Sequence, residues 1–220
     1  MASNQSNTRI KFGLKISVLL VILAALFFNP LPAFAEEKAP DSSLPDLASF
    51  VQTVMDGQAG TLRGVYVAGV FAMPIVQQPA GNPVYVSTTD NELTEFAMAS
   101  EMGNVGLLAH NYLAGTSFSM LAPGQEVSLV YGDGHMEYFI IDRVLSYQAL
   151  DPYSPYSEFR DLETSVTITA EELFRQVYRG ERHVTFQTCI DANGNSSWGR
   201  LFVIAEPKKM DGLKNLLSHP

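Results

Sequence analysis

A single cysteine, Cys189, sits in a chain of 220 residues that also holds four histidines. One thiol cannot form an intrachain disulfide, so the residue is either an inert buried side chain or a reactive one. A reactive cysteine works as thiolate and needs a neighbour that moves protons, most often histidine. His183 lies on the same apolar run, but the intervening strand would span roughly 20 Å at about 3.3 Å per residue, too far to reach. His219 belongs to a polar C-terminal tail, and His135 adjoins the turn sequence Gly132-Asp133-Gly134. His110 remains. It ends the apolar run Val105 to Ala109, where a strand would hand a polar side chain to a rim. Arg200 opens the run after the last loop, and antiparallel pairing would bring it beside Cys189. Its permanent charge and planar fork of donors suit a developing oxyanion or a substrate carbonyl.

Strands are needed to present these groups. In the run His183 to Ile190, Val184, Phe186 and Thr188 alternate with Thr185, Gln187 and Cys189. The cysteine therefore shares the more polar face, which argues against inert burial. From Leu62 onward, short runs rich in β-branched and aromatic residues are bounded by Gly, Pro and Asn. They include Gly64 to Val76, Pro83 to Ser87, a hairpin turning at Gly132-Asp133-Gly134, and two last strands flanking a turn-rich loop, Ile190 to Gly199. Helical signals are few. Leu47, Phe50, Val51 and Val54 recur at helical spacing after Asp46 and before Gly57. Thr169 with Glu172 forms a capping-box pattern opening a helix that closes near Gly180. Many short strands with few helices predict a mostly β sandwich or barrel.

The segment Thr185-Phe186-Gln187-Thr188-Cys189, followed by Arg200 and preceded by Ala109-His110-Asn111, resembles the sortases, cysteine transpeptidases of bacterial cell surfaces. Their pattern is a Thr-Leu-x-Thr-Cys strand end, a later arginine, and a histidine in the first half of the domain. The similarity runs from about Leu62 to Pro207. Phe186 replaces the usual leucine and Ala109 a frequent glycine, which leaves the subclass open. The resemblance implies a mostly β fold, an eight-stranded sortase-like β-barrel with a few short helices. It also implies Cys189 as nucleophile, His110 as general acid/base and Arg200 as oxyanion and substrate stabiliser. Thr188 and Trp198 are then candidate substrate contacts, and the Tyr147 to Phe159 loop a candidate groove wall. Implied partners are secreted proteins bearing a sorting motif and an amine acceptor, such as a cell-wall precursor or a pilin lysine. No cofactor is implied. Two other readings stay open: a thiol hydrolase on the same fold, and a non-catalytic secreted β-domain that binds a surface ligand.

The N-terminus agrees with a surface location. Arg9, Lys11 and Lys15 precede the apolar run Ile16 to Phe28, and Ala33-Phe34-Ala35 offers small residues before Glu36. That is the layout of a cleavable secretory signal; a membrane anchor is the alternative. The expected organisation is residues 1–35 signal peptide or anchor, 36–60 linker and short helix, 61–207 barrel, and 208–220 tail. The net charge is −9, and every acidic residue lies beyond position 35. Such a surface repels phosphate backbones, so nucleic acid is excluded as a partner class. Asp191, Asn193 and Asn195 are spaced like the start of a calcium loop, but the glycine comes too early and Phe202 stands where a glutamate ligand belongs. The segment reads as a polar turn, and no metal site is expected.

Overall fold

The computed structural model describes residues 44–209, so the expected signal segment, most of the linker and His219 lie outside the described residues. The fold is a closed barrel. Its strands are β1 (Leu62–Val67), β2 (Phe71–Gln77), β3 (Leu93–Glu95), β4 (Val105–Leu108), β5 (Glu126–Tyr131), β6 (Met136–Ala149), β9 (Val184–Ala192) and β10 (Asn195–Pro207). They run in the order β10-β9-β4-β3-β2-β1-β5-β6, and β6 pairs back onto β10 to close the eight-stranded ring. Two short strands, β7 (Phe159–Asp161) and β8 (Thr167–Ile168), extend the sheet from the far end of β6. Most pairings are antiparallel; β2–β3 and β4–β9 are parallel.

Closure gives the sheet an inside and an outside. The interior holds Val65, Phe71, Leu107, Leu129, Phe139, Phe186 and Val203. Phe186 packs edge-on against Phe118 at 5.3 Å and Phe71 at 6.2 Å between ring centroids. A second apolar cluster covers part of the outer surface, where α3 (Ala170–Tyr178) lays Leu173, Val177 and Tyr178 over Phe202 and Ile204. A third sits under α1 (Leu47–Val54), whose Phe50 packs over Gly64. The described helices also include α2 (Ala97–Glu101) and a 3-10 helix, Ala114–Met120. Among the described residues, no helix is long and apolar enough to cross a membrane.

The capping box read from the sequence forms, and Asp46 caps the first helix. Asp46 accepts from the Ser49 amide at 2.9 Å. In α3, Thr169 accepts from the Glu172 amide while the Glu172 carboxylate accepts from the Thr169 amide and hydroxyl. The turn at Gly132 to Gly134 joins β5 to β6 as expected.

Three expectations need correction. Residues Pro83 to Ser87 form no strand. The Gln78 side chain donates to the carbonyls of Pro83 and Tyr85, and Thr94 Oγ1 accepts from the Ser87 amide, so local side chains take the groups a ladder would use. The ladder passes instead through β3. The final hairpin is also tighter than a long loop: β9 and β10 continue to a two-residue turn, Asn193-Gly194, both at positive φ. Asn-Gly is the pair that such a turn favours, because its twist matches that of the strands. Finally, Tyr147 belongs to β6 and is buried beside Phe202, so it is no wall of an open groove.

Candidate active site

Register brings the sequence candidates together. In the β9–β10 ladder, Cys189 lies directly opposite Arg200, and Gln187 opposite Phe202. Directly opposed residues share a face, so Gln187, Cys189, Arg200 and Phe202 all belong to the outer surface. On the other side, β4 runs parallel to β9 with Leu108 level with Gln187, and the ladder continues as the Ala109 amide donates to the Gln187 carbonyl at 3.2 Å. Continued two residues past the Leu108–Gln187 pair, the same register would bring His110 level with Cys189. Ala109 is buried in the barrel interior, so alternation turns His110 to the outer face. Cys189 and Arg200 thus stand directly opposite each other on β9 and β10, and His110 follows just beyond the end of β4 on the other side of β9. Both His110 and Cys189 are partly exposed.

The chain around His110 is held from below. Its carbonyl accepts from the amides of Leu113 and Gly115, each at 3.0 Å, which starts the 3-10 helix. Thr188 is 5% exposed and points inward, where its hydroxyl donates to the Ala109 carbonyl at 2.9 Å. Its oxygen is thus engaged in holding the residue before His110, whereas the sequence reading gave it a substrate contact. Gly115 completes this seat. A Cβ there would stand 2.3 Å from Thr188 Oγ1 and 2.7 Å from the His110 carbonyl oxygen, so no larger residue fits without moving one of them. Sequence reasoning missed Gly115, because its close approach is to residues far along the chain.

The rim is latched to the final hairpin. Asn111 donates to the Ser196 carbonyl at 2.9 Å, and the His110 ring stacks on Tyr112 at 5.1 Å. On the opposite side, the exposed Tyr153 donates to Asn195 at 3.4 Å. Trp198 is half-buried in a bulge where β10 slips register against β9, between Asn195 and Gly199. One guanidinium nitrogen of Arg200 donates to the carbonyls of Ser197 at 3.0 Å and Gly199 at 2.8 Å. These bonds fix the base of the fork and leave its remaining donors without a protein acceptor among the described residues.

Next to this row lies a groove of about 240 Å³ between α3 and the barrel wall, lined by Phe96, Pro155, Leu173, Gln187, Arg200 and Phe202 among others. A larger cavity of about 440 Å³ lies elsewhere, bordered by Glu137, Phe139, Arg182 and Lys208. None of the three site candidates lines it, and the Arg182–Glu137 ion pair at 2.6 Å occupies its edge. His183 is 8% exposed, with its ring nitrogens against the Glu181 and Val177 carbonyls at 2.7 and 2.9 Å, a structural location remote from the row. His135 is exposed at the β5–β6 turn, as its position in the sequence suggests. Among the described residues, no three His, Cys, Asp or Glu side chains converge as a metal site.

No protein-family model and no curated protein matches the chain. Solved structures to which it is similar include sortase A of Listeria monocytogenes, at 12% identity and a TM-score of 0.43, over 70% of this chain and 89% of that one. The sortase D5 transpeptidase of Clostridium perfringens is 14% identical, with a TM-score of 0.44, over 74% and 88% of the two chains. Sortase C-1 of Actinomyces oris is 13% identical, with a TM-score of 0.45, over 76% and 82%.

Proposed function

We propose that this chain is a sortase-like cysteine transpeptidase acting on secreted proteins at the cell surface. The observation that supports the reading is the pairing of the sole cysteine, Cys189, with Arg200, next to a groove that Arg200 lines; continuing the β4–β9 register by two residues would bring His110 level with them. A nucleophile flanked by a proton carrier and by a fixed cation is the arrangement acyl transfer requires.

The chemistry follows in two steps. The Cys189 thiolate attacks a backbone carbonyl carbon of the donor peptide, and the carbonyl electron pair moves to oxygen. Arg200 meets that oxyanion with the free side of its fork. Collapse breaks the C–N bond, and the leaving amine takes a proton from the His110 imidazolium, which leaves a thioester on Cys189. An acceptor amine then attacks the thioester carbonyl and gives its proton to His110, and the thiolate departs as the new amide forms. Thr188 acts through its neighbour as a positioning residue, holding Ala109 so that His110 stays level with the sulfur. Donor proteins would carry a sorting motif, and the acceptor would be an amine of a cell-wall precursor or a pilin lysine. Residues 1–35 would export the chain or anchor it.

Incubation with a peptide library and an added amine, read by mass spectrometry, tests this. The expected result is a thioester on Cys189 and a peptide–amine ligation product, both lost in Cys189→Ala and His110→Ala. Arg200→Ala should lower kcat by about 10²–10³, the loss typical of one oxyanion donor, and Arg200→Lys should recover little. Arg143→Ala, which breaks only exposed pairs with Asp142 and Glu206, is the unaffected control. Products of water alone would make the enzyme a hydrolase, and no acylation by any peptide would end the catalytic reading.

A further inference from the structure

The groove beside the catalytic row has mostly apolar walls, and Gln187 is its one side-chain amide. It stands two residues before Cys189 on the same face of β9, roughly 6.6 Å along the strand. An extended peptide lying along β9 advances by the same amount in two residues. Gln187 is therefore level with a group two residues from the bond that Cys189 attacks.

The amide is held in one orientation. Tyr178, 3% exposed at the end of α3, donates its hydroxyl to Gln187 Oε1. Burial pushes the Tyr178 phenol well above its ordinary range, so it stays protonated as a donor. Room for the ring comes from β4. A Cβ on Gly106 would lie 3.0 Å from Tyr178 Cε1 and 2.9 Å from Phe96 Cβ, so a side chain there would press the tyrosine away from the strand. With its oxygen occupied, Gln187 turns its two N–H donors elsewhere. No protein group among the described residues accepts from them, and no buried side-chain nitrogen there lacks a partner, so this nitrogen is accessible on a residue that lines the groove.

We propose that Gln187 is a specificity-determining residue, whose side-chain N–H donates to an oxygen of the donor peptide two residues from the cleaved bond. Gly106 and Tyr178 act through it, as positioning residues. The inference rests on the reading of Cys189 as nucleophile for where the peptide lies. It selects an extended donor that offers an acceptor at that position between apolar flanks, and it disfavours a peptide presenting a second donor there.

The test separates recognition from chemistry. A random hexapeptide library is selected against Cys189→Ala protein, which binds without turnover, and the recovered peptide is titrated. Adding Gln187→Glu keeps an acceptor for the Tyr178 hydroxyl and nearly the same volume but removes the donor. Affinity should fall about tenfold or more with little change in melting. In the catalytic background, Gln187→Glu should raise KM and leave kcat near wild type, and Tyr178→Phe, which frees the amide to rotate, should give an intermediate rise in KM. Equal affinity with and without Gln187→Glu overturns the proposal, as does recovery of no peptide at all. Failure of the catalytic reading shows differently: wild-type protein mixed with the recovered peptide forms no thioester, whatever Gln187→Glu does to binding.

Discussion

At the scale of single residues, the candidate site depends on a missing atom as well as on the side chains around it. Gly115 carries no side chain where any Cβ would meet the Thr188 hydroxyl and the His110 carbonyl. Its place needs space and no unusual backbone angle, since it is absent from the glycines at positive φ. Gly115→Ala should thus displace His110 from the level of Cys189, lowering kcat by about tenfold or more and melting only modestly. Parallel kinetic and melting measurements check this, and unchanged kcat would show that His110 tolerates the shift. Other residue-scale features were legible beforehand. Alternation along Thr185 to Cys189 puts the cysteine on a partly exposed face, and the hairpin order puts Arg200 opposite it. Neither Gly115 nor Gly106 could be read that way, because each is required by a neighbour brought close only by the fold.

Among the elements, α3 is the wall of the groove, and its first turn is sensitive to acid. The Glu172 carboxyl is held below its ordinary range, first by the Thr169 amide and then by the Thr169 hydroxyl. A depressed carboxyl contributes stability above its unfolded value, and that contribution is lost as pH falls through the folded one. Wild type should therefore melt above Glu172→Gln near neutrality, and the two melting curves should converge once the pH drops below the carboxylate range. A constant gap across that range would mean that the bond carries no charge dependence. The box was visible in the sequence because its partners are only three residues apart. The segment Pro83 to Ser87 shows the converse case. Its composition favours a strand, yet contacts from Gln78 and Thr94 decide otherwise, and those lie outside the local pattern.

For the whole molecule, the chain forms no disulfide, so a filled barrel interior must supply what a bridge might have added. Phe186 is fully buried there, on the reverse of the strand that bears Cys189. Phe186→Ala should cost about 3–5 kcal/mol, read by denaturant unfolding, since two aromatic neighbours lose their partner and a cavity remains. A cost below about 1 kcal/mol would mean that the interior collapses to fill the gap. The closing pair of strands has a further consequence, in the order in which a chain is made. Ala109 meets Thr188 across 79 residues, and β9 enters beside β4 only after nearly all the rest exists. In the finished barrel, β9 and β10 together fill the gap between the edges of β4 and β6. The strands that finish the wall also carry the sulfur and the guanidinium. The pairing of Cys189 with Arg200 therefore exists only once both closing strands are in place.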